Sequence, residues 1–262
     1  MSDPDAYVRG DLVKLSDIIK GLKPTERLYL TDSYTKTFQG HLLRAERDGK
    51  TNVYLVLDAT LFHPKGGGQP TDTGRISNQD YAVDVKKALF AKGVIVHWGR
   101  LLHGTVDDGP VLGEIEWTKR YQYMRRHTAG HLLDHCLTTV TGSPVETTDS
   151  WLDAPCYVGY AGHHPSPSCV ADAERLANEM IAQNATVTIT YLSYQDLLHV
   201  APHAPNIYRL PNLEAYRVVT IEGCTPIPCA GTHLRTIREI GQVTINKVES
   251  AGATYRVYYD VQ

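Results

Sequence analysis

The hydrophobic pattern of this chain changes its period near residue 117, and this change limits the fold more than any other feature of the sequence. Before it, strand-like runs follow one another without a helix-length pattern between them, and the dipeptide Asp48-Gly49 is typical of a hairpin turn. The runs cover residues 27–34, 38–47, 52–61, 81–89, 94–101 and 111–117. Apolar residues at helical spacing over positions 12–22 precede them. We therefore predict a small β-barrel-like domain or sandwich over residues 1–117, with an N-terminal helical extension.

After residue 117 the pattern predicts helices and strands together. Apolar residues form one stripe of a helix over residues 121–140, with Gly142 as its stop, and a second amphipathic helix follows over residues 171–184. Ser193 is a candidate cap of a further short helix. Strands are predicted over residues 186–192, 216–222, 242–249 and 254–259. Helices segregated from a largely antiparallel sheet make an α+β domain, which we place at residues 118–262.

Charge and apolar content limit the partners. Lys and Arg number 26 against 29 Asp and Glu, so a net charge of -3 excludes a generally basic nucleic-acid surface, and any RNA contact must be local. We expect no DNA partner. The chain lacks a run of about eighteen apolar residues and starts with acidic and polar residues, so we expect a cytoplasmic protein without a membrane partner. Its five irregularly spaced cysteines are interpreted as thiols.

Two pairs of residues with metal-binding side chains indicate a chemical function. His127 and His131 lie four residues apart on a predicted helix, which places both imidazoles on one helical face. Cys229 and His233 repeat this spacing almost a hundred residues later. Three imidazoles and one thiolate suit Zn²⁺. Histidines four apart also occur on solvated helix faces, so the first pair alone leaves both interpretations open.

Residue types and the spacing of the two pairs exclude three common kinds of zinc protein. A metalloprotease helix needs Glu after its first His, where this chain has Thr128. A nucleobase deaminase needs a second Cys soon after Pro228-Cys229, and this chain has none there. A zinc finger places its ligand pairs about a dozen residues apart, whereas most of a domain separates these pairs. A metal bound by both pairs would join elements that are already folded, and this arrangement resembles the base of a catalytic pocket.

Three longer segments resemble a known family. They are Arg125-Arg126-His127-Thr128-Ala129-Gly130-His131-Leu132-Leu133, Cys229-Ala230-Gly231-Thr232-His233 and Phe62-His63-Pro64-Lys65-Gly66-Gly67-Gly68-Gln69-Pro70-Thr71-Asp72-Thr73-Gly74. In order and spacing they resemble AlaX, the stand-alone relatives of the alanyl-tRNA synthetase editing domain, from about residue 25 to the end. The Gly-Thr-His ending at His233 is similar to the alanyl type, because the threonyl editing domain typically has Gly-Pro-His. A β domain before the editing core is similar to the medium-length AlaX type.

The resemblance implies a hydrolase that deacylates alanine-specific tRNA mischarged with serine and, in some members, glycine. Such an activity is physically reasonable, because a small synthetase pocket discriminates poorly against one added hydroxyl. A separate site that hydrogen-bonds the seryl hydroxyl can favour the seryl over the alanyl substrate by about ten-thousand-fold or more, because alanine would leave the polar groups of the site unpaired. The implied cofactor is Zn²⁺ on His127, His131, Cys229 and His233, and the implied partner is mischarged alanine tRNA.

The resemblance also makes the glycine-rich loop part of the site. Gly66, Gly67 and Gly68 allow close backbone approach to a ligand, and Gln69 offers an amide with a donor and an acceptor. By itself the loop also fits a simple turn or bulge. Thr128 is the candidate for recognition of the seryl hydroxyl, and the alternative is a helix hydroxyl bonded to the preceding turn.

The basic segment before His127 is the candidate contact for the 3′ end of tRNA. Its charged residues are Lys119, Arg120, Arg125 and Arg126, interleaved with Tyr121 and Tyr123. A solvated first helical turn is the alternative. Arg125 and Arg126 are therefore predicted to bind substrate, and affinity for tRNA is expected to weaken as salt rises.

Several properties stay open at this stage. The candidates for a general base are His135, Glu146 and Asp149, and the Gln that the synthetase domain has in this stretch is missing from residues 145–149. Four protein ligands suit a structural zinc, whereas a catalytic zinc keeps one coordination position open for water or substrate. We favour a zinc with such an open position. The rivals are a metal-dependent hydrolase of another aminoacyl or small ester, and a tRNA-binding module with structural zinc. The oligomeric state is unknown.

Overall fold

The computed structural model describes residues 15–262, and these divide into two compact units. The first unit comprises the described residues up to Gly66 together with Pro70–Arg120, and the second comprises Gly67–Gln69 and Tyr121–Gln262. The sequence prediction had placed the division near residue 117 and the glycine-rich loop wholly in the first domain. Within residues 15–262, no helix is long and apolar enough to span a membrane.

The first unit is built around a closed antiparallel barrel, so the predicted β-barrel is confirmed. The strands of this unit are β1 (Glu26–Arg27), β2 (Thr37–Asp48), β3 (Asn52–Leu57), β4 (Ala59–Thr60), β5 (Gly74–Ser77), β6 (Tyr81–Ala91), β7 (Val94–Gly104) and β8 (Gly109–Ile115). The barrel has the strand order β2-β3-β7-β6-β5-β8. The short strand β5 was not predicted, although it joins β6 to β8 and thereby closes the barrel.

Strand β3 is apolar on both faces because each face packs against a hydrophobic cluster. Leu55 and Leu57 belong to the larger cluster of this unit, whereas Tyr54 and Val56 belong to a second cluster. Ile18 also packs in the second cluster, from the helix α1 (Leu15–Ile18). Alternate residues of a strand face opposite sides, so a continuous apolar run fits this doubly covered position. Leu12 and Val13, which the helical pattern included, lie outside the described residues.

Two of the predicted strands do not form as single continuous strands. Residues 27–34 form only the end of β1 and a 3₁₀ turn over Leu28–Leu30. The predicted strand 52–61 breaks at Asp58, whose carboxylate accepts hydrogen bonds from the backbone N–H groups of His41, at 2.7 Å, and Ala59, at 2.8 Å. A side chain that bonds neighbouring backbone groups in this way competes with the strand ladder.

The second unit combines helices with two antiparallel sheets, as predicted for an α+β domain. Its strands are β9 (Thr147–Trp151), β10 (Tyr157–Ala161), β11 (Val187–Leu192), β12 (Tyr216–Ile221), β13 (Ile227–Pro228), β14 (Val243–Ala251) and β15 (Thr254–Val261). One sheet has the order β14-β15-β10-β9 and the other β11-β12-β13. Strands β9, β10 and β13 were not predicted.

The remaining α-helices within residues 15–262 are α2 (Trp117–Thr141), α3 (Pro167–Gln183) and α4 (Tyr194–Val200). Helix α2 begins four residues earlier than predicted, where the N–H of Arg120 already donates to the carbonyl of Glu116. Helix α3 also begins early, because the Ser166 hydroxyl caps it by accepting from the Cys169 N–H. The predicted cap at Ser193 is confirmed, since its hydroxyl accepts from the Asp196 N–H at 3.1 Å.

Candidate metal centre and its surroundings

The structure brings the two predicted ligand pairs together. His127 and His131 lie on α2, whereas Cys229 and His233 lie in the loop that follows β13. The ligand atoms of all four side chains lie within 4.8 Å of one another. His127 Nε2 is 3.3 Å from Cys229 Sγ, and the His127 and His233 ring centroids are 4.2 Å apart. This cluster, called the His/Cys cluster below, can bind a metal ion.

Burial favours the neutral, metal-binding form of two imidazoles of the cluster, those of His131 and His233. It lowers the pKa of His131 to about 3, with a smaller contribution from the positive charge of Arg217. It also holds the pKa of His233 well below its usual value. His233 Nδ1 lies 3.2 Å from the carbonyl oxygen of Gly231, while its Nε2 is buried without a hydrogen-bond partner among the described residues. A buried nitrogen without such a partner fits a metal ligand, because leaving it unsatisfied is costly.

Arg217 on β12 holds the loop that carries Cys229, and the sequence reasoning did not identify it. Its Nη1 donates to the carbonyl oxygens of Cys229, at 2.6 Å, and Gly231, at 3.0 Å. Its own carbonyl accepts from the Cys229 N–H at 2.9 Å. Arg217 is 7% exposed. An arginine inside a strand of mostly apolar residues is the sequence signal that could have pointed to it.

Gln69 lies beside the cluster and belongs to the second unit, whereas the sequence prediction placed its loop in the first domain. Its Oε1 is 3.1 Å from His127 Nδ1 and accepts from the Thr232 N–H at 3.0 Å. Its Nε2 donates to the Thr232 hydroxyl at 2.9 Å. Gln69 and Thr232 are both fully buried. The glutamine thus connects a residue of α2 with the loop between Cys229 and His233.

The three positions before Gln69 differ in how strongly their backbone and surroundings require glycine. Gly68 needs to be glycine, because its φ is +80° and a Cβ there would lie 2.6 Å from the Ser150 carbonyl oxygen. Gly67 has a φ of +55°, but no described atom lies within 4 Å of its Cβ position. At Gly66 the nearest atom is the Pro64 carbonyl oxygen, at 4.0 Å. The close approach at Gly68 is made to Ser150 of β9, whereas the sequence predicted a close approach to a ligand.

Thr128 is placed differently from its predicted role. It is fully buried, and its hydroxyl oxygen accepts from the Leu234 N–H at 3.1 Å. This contact ties α2 to the chain just after His233. The arrangement favours a positioning role over the predicted contact with a seryl hydroxyl, since the hydroxyl is enclosed by the protein.

The guanidinium groups of Arg125 and Arg126 in the basic segment donate hydrogen bonds to other residues of the chain. Arg125 donates to the carbonyl oxygens of Glu239 and Ile240, and Arg126 donates to the carboxylate of Asp260 and the carbonyl oxygen of Leu152. These contacts favour a structural role over the predicted binding of tRNA phosphate.

Arg120 corrects the prediction for the same segment, because it is fully buried in the first unit. It forms an ion pair with Asp72 and donates to the carbonyl oxygens of Ser33 and Leu61. A buried and paired guanidinium is not available to a phosphate. Lys119 is exposed, with an ion pair to Glu116 at 3.8 Å.

The three candidate bases lie outside the His/Cys cluster that the described residues form. Asp149 is exposed and forms an ion pair with Arg256 at 2.9 Å, and it accepts from the Tyr157 hydroxyl. Glu146 is exposed. Burial lowers the pKa of His135, which is partly exposed.

Comparison with known proteins gives matches along the chain. Residues 14–118 match the family model of class II (A) tRNA synthetases, and residues 216–258 match the second additional domain of threonyl and alanyl tRNA synthetases. The chain is 31% identical to the alanine–tRNA ligase of Pyrobaculum calidifontis over 91% of its own length, but it spans only 26% of that ligase.

Two shorter relatives match over nearly their whole length. The alanyl-tRNA editing protein AlaX-M of Saccharolobus solfataricus is 30% identical over 91% of this chain and 99% of its own length. The AlaX-M of Methanosarcina mazei is 30% identical over 90% of this chain and 95% of its own length. With this identity over nearly the full length of both relatives, the chain belongs to the AlaX-M family of alanyl-tRNA editing proteins.

Proposed function

We propose that this chain is an aminoacyl-tRNA deacylase that edits alanine tRNA mischarged with serine and, through looser fit, glycine. Proteins of the family are deacylases that act on mischarged tRNA. The observation that carries the proposal is the meeting of the two ligand pairs in one cluster, in a chain of this family. The second unit contains this whole cluster and Gln69, so we propose it as the editing unit.

We further propose that the His/Cys cluster holds one zinc ion. Three imidazole nitrogens and a sulfur are ligands that zinc prefers. The Nε2 of His233, which has no hydrogen-bond partner within residues 15–262, fits this role. A zinc ion there supplies Lewis-acid chemistry to an ester carbonyl or to water. The chain's own residues hold the geometry: Arg217 fixes the backbone around Cys229, and Thr128 fixes the chain after His233.

Selectivity for serine is proposed to rest on hydrogen bonds to its hydroxyl. A site with such groups loses them when alanine enters, so correctly charged tRNA is spared. Glycine offers neither a hydroxyl nor a methyl group, and its hydrolysis therefore depends on fit alone. We expect the rate order seryl, then glycyl, then alanyl.

Deacylation of alanine tRNA charged with serine, glycine or alanine tests the function and its specificity together. Hydrolysis of the seryl ester well above the spontaneous rate, with the alanyl ester spared, supports the proposal. Binding of tRNA without turnover supports a non-enzymatic module, and hydrolysis only of other small esters supports a different hydrolase. Either result overturns the proposal.

Cys229→Ala tests the metal ligand set. We expect loss of the bound metal and of deacylation in a protein that stays folded, because a chain of this size buries a sufficient core without the ion. Cys224→Ala is the matched control, since Cys224 is a partly exposed thiol outside the cluster. Elemental analysis, circular dichroism and deacylation are measured on both variants. Full turnover by a folded, metal-free Cys229→Ala protein excludes metal from the mechanism.

A further inference from the structure

The contacts of Gln69 establish how its amide group is oriented. One side-chain atom faces the backbone N–H of Thr232 at 3.0 Å, and a backbone N–H can only donate. That atom must therefore be the amide oxygen, Oε1. The amide nitrogen then faces the Thr232 hydroxyl at 2.9 Å, where it donates. A flipped amide would place two donors against each other at Thr232, so the surroundings permit one orientation.

The orientation of the amide determines the tautomer of His127. The same Oε1 lies 3.1 Å from His127 Nδ1, and an amide oxygen can only accept. The proton of the neutral imidazole must therefore be on Nδ1. The other nitrogen, Nε2, carries the lone pair and lies 3.3 Å from Cys229 Sγ. His233 follows the same rule, because its Nδ1 faces the Gly231 carbonyl oxygen.

Gly231 makes the close meeting of these groups possible. A Cβ at this position would lie 2.6 Å from His127 Nδ1 and 2.9 Å from Gln69 Oε1. Such distances are far below van der Waals contact, so any side chain there would separate the amide from the imidazole. The loop between Cys229 and His233 thus leaves room, at Gly231, for the contact between Gln69 and His127. It also supplies Thr232, whose hydrogen bonds hold the Gln69 amide in place.

We propose that Gln69 is a positioning residue that directs the lone pair of His127 Nε2 into the His/Cys cluster. It accepts the Nδ1 proton, and its two bonds to Thr232 hold it in register with the loop that carries Cys229 and His233. The proposal rests on the metal site of the proposed function. Loss of a hydrogen bond that orients a metal-binding histidine typically lowers metal affinity by about 10- to 100-fold.

Paired substitutions at Gln69 separate the acceptor from the volume of the side chain. Gln69→Met keeps a similar length but removes the acceptor, whereas Gln69→Glu keeps an acceptor for His127 and for the Thr232 N–H. The Thr232 hydroxyl can turn to donate to the carboxylate. Gln183→Met, at an exposed position in the same unit, is the matched control.

The measurement is titration of the metal-free proteins with Co²⁺, followed by optical absorption in competition with a chelator. We expect affinity about 10- to 100-fold weaker for Gln69→Met, and affinity within a few-fold of wild type for Gln69→Glu and Gln183→Met. Equal affinity of wild type and Gln69→Met overturns the proposal. If wild type itself binds no metal, the metal site of the proposed function fails instead.

A second measurement does not depend on the folding of any variant. Nitrogen-15 NMR of the histidine side chains in the metal-free wild-type protein reports which nitrogen of His127 carries the proton. We expect a protonated Nδ1 and an unprotonated Nε2. A proton on Nε2 overturns the proposal, whatever the titrations show.

Discussion

The buried ion pair between Arg120 and Asp72 allows a quantitative prediction about the stability of the first unit. The side chains are 0% and 1% exposed, and the Asp72 carboxylate also accepts from the His63 N–H at 2.6 Å. In Asp72→Asn the guanidinium stays buried without a compensating charge. Removing one member of such a pair costs roughly 3–5 kcal/mol, a large part of the about 5–15 kcal/mol that stabilises a typical domain. We therefore expect a melting midpoint lower by on the order of 10 °C.

Asp84→Asn provides the matched control for this prediction. Asp84 forms an ion pair with Lys86 at 2.6 Å in the same unit, but its side chain is 36% exposed and that of Lys86 is 52% exposed. Exposed pairs contribute only about 0–1 kcal/mol. Urea and thermal unfolding followed by circular dichroism compare the two variants with wild type. A loss for Asp72→Asn no larger than that for Asp84→Asn would refute the reasoning that burial makes this pair essential.

Two further predictions concern the second unit. Burial raises the pKa of Asp134 from 3.8 to about 7, so the folded protein binds a proton that the unfolded chain lacks between these pH values. The free energy of unfolding of the wild-type protein should therefore fall by up to about 4 kcal/mol as pH rises from 3.8 to about 7. Asp134→Asn keeps an oxygen that accepts from the Tyr160 hydroxyl, and it should remove this part of the pH dependence of stability. Urea unfolding at several pH values checks this, and equal slopes contradict it. Gly68→Ala should lower the melting midpoint more than Gly67→Ala, because only Gly68 also lies against the Ser150 backbone. Equal losses would show that backbone dihedral strain alone decides the outcome at both positions.

Local patterns were sufficient to predict most of the helices and strands and the four residues of the His/Cys cluster. Alternating apolar residues predicted most of the barrel strands, and four-residue spacing placed His127 and His131 on one face of α2. These signals are local because strand and helix periods are properties of neighbouring residues. The short strand β5 carried too few alternating residues to be recognised, and Asp58 broke a predicted strand through a side-chain contact that periodicity does not reveal.

The roles of individual charged and polar residues depended on the tertiary structure. The sequence left two interpretations of Arg120, Arg125 and Arg126, a basic patch that contacts tRNA or a solvated helical turn. In the structure each of these side chains has its own partners elsewhere in the chain. Thr128 was a candidate for substrate recognition, and its hydroxyl accepts from the backbone N–H of Leu234, just after His233. The hydrogen bonds between Gln69 and Thr232 join residues 163 positions apart. Hydrogen bonds and ion pairs act over a few ångströms, so their partners are set by chain folding, whereas hydrophobic periodicity is already present in the sequence.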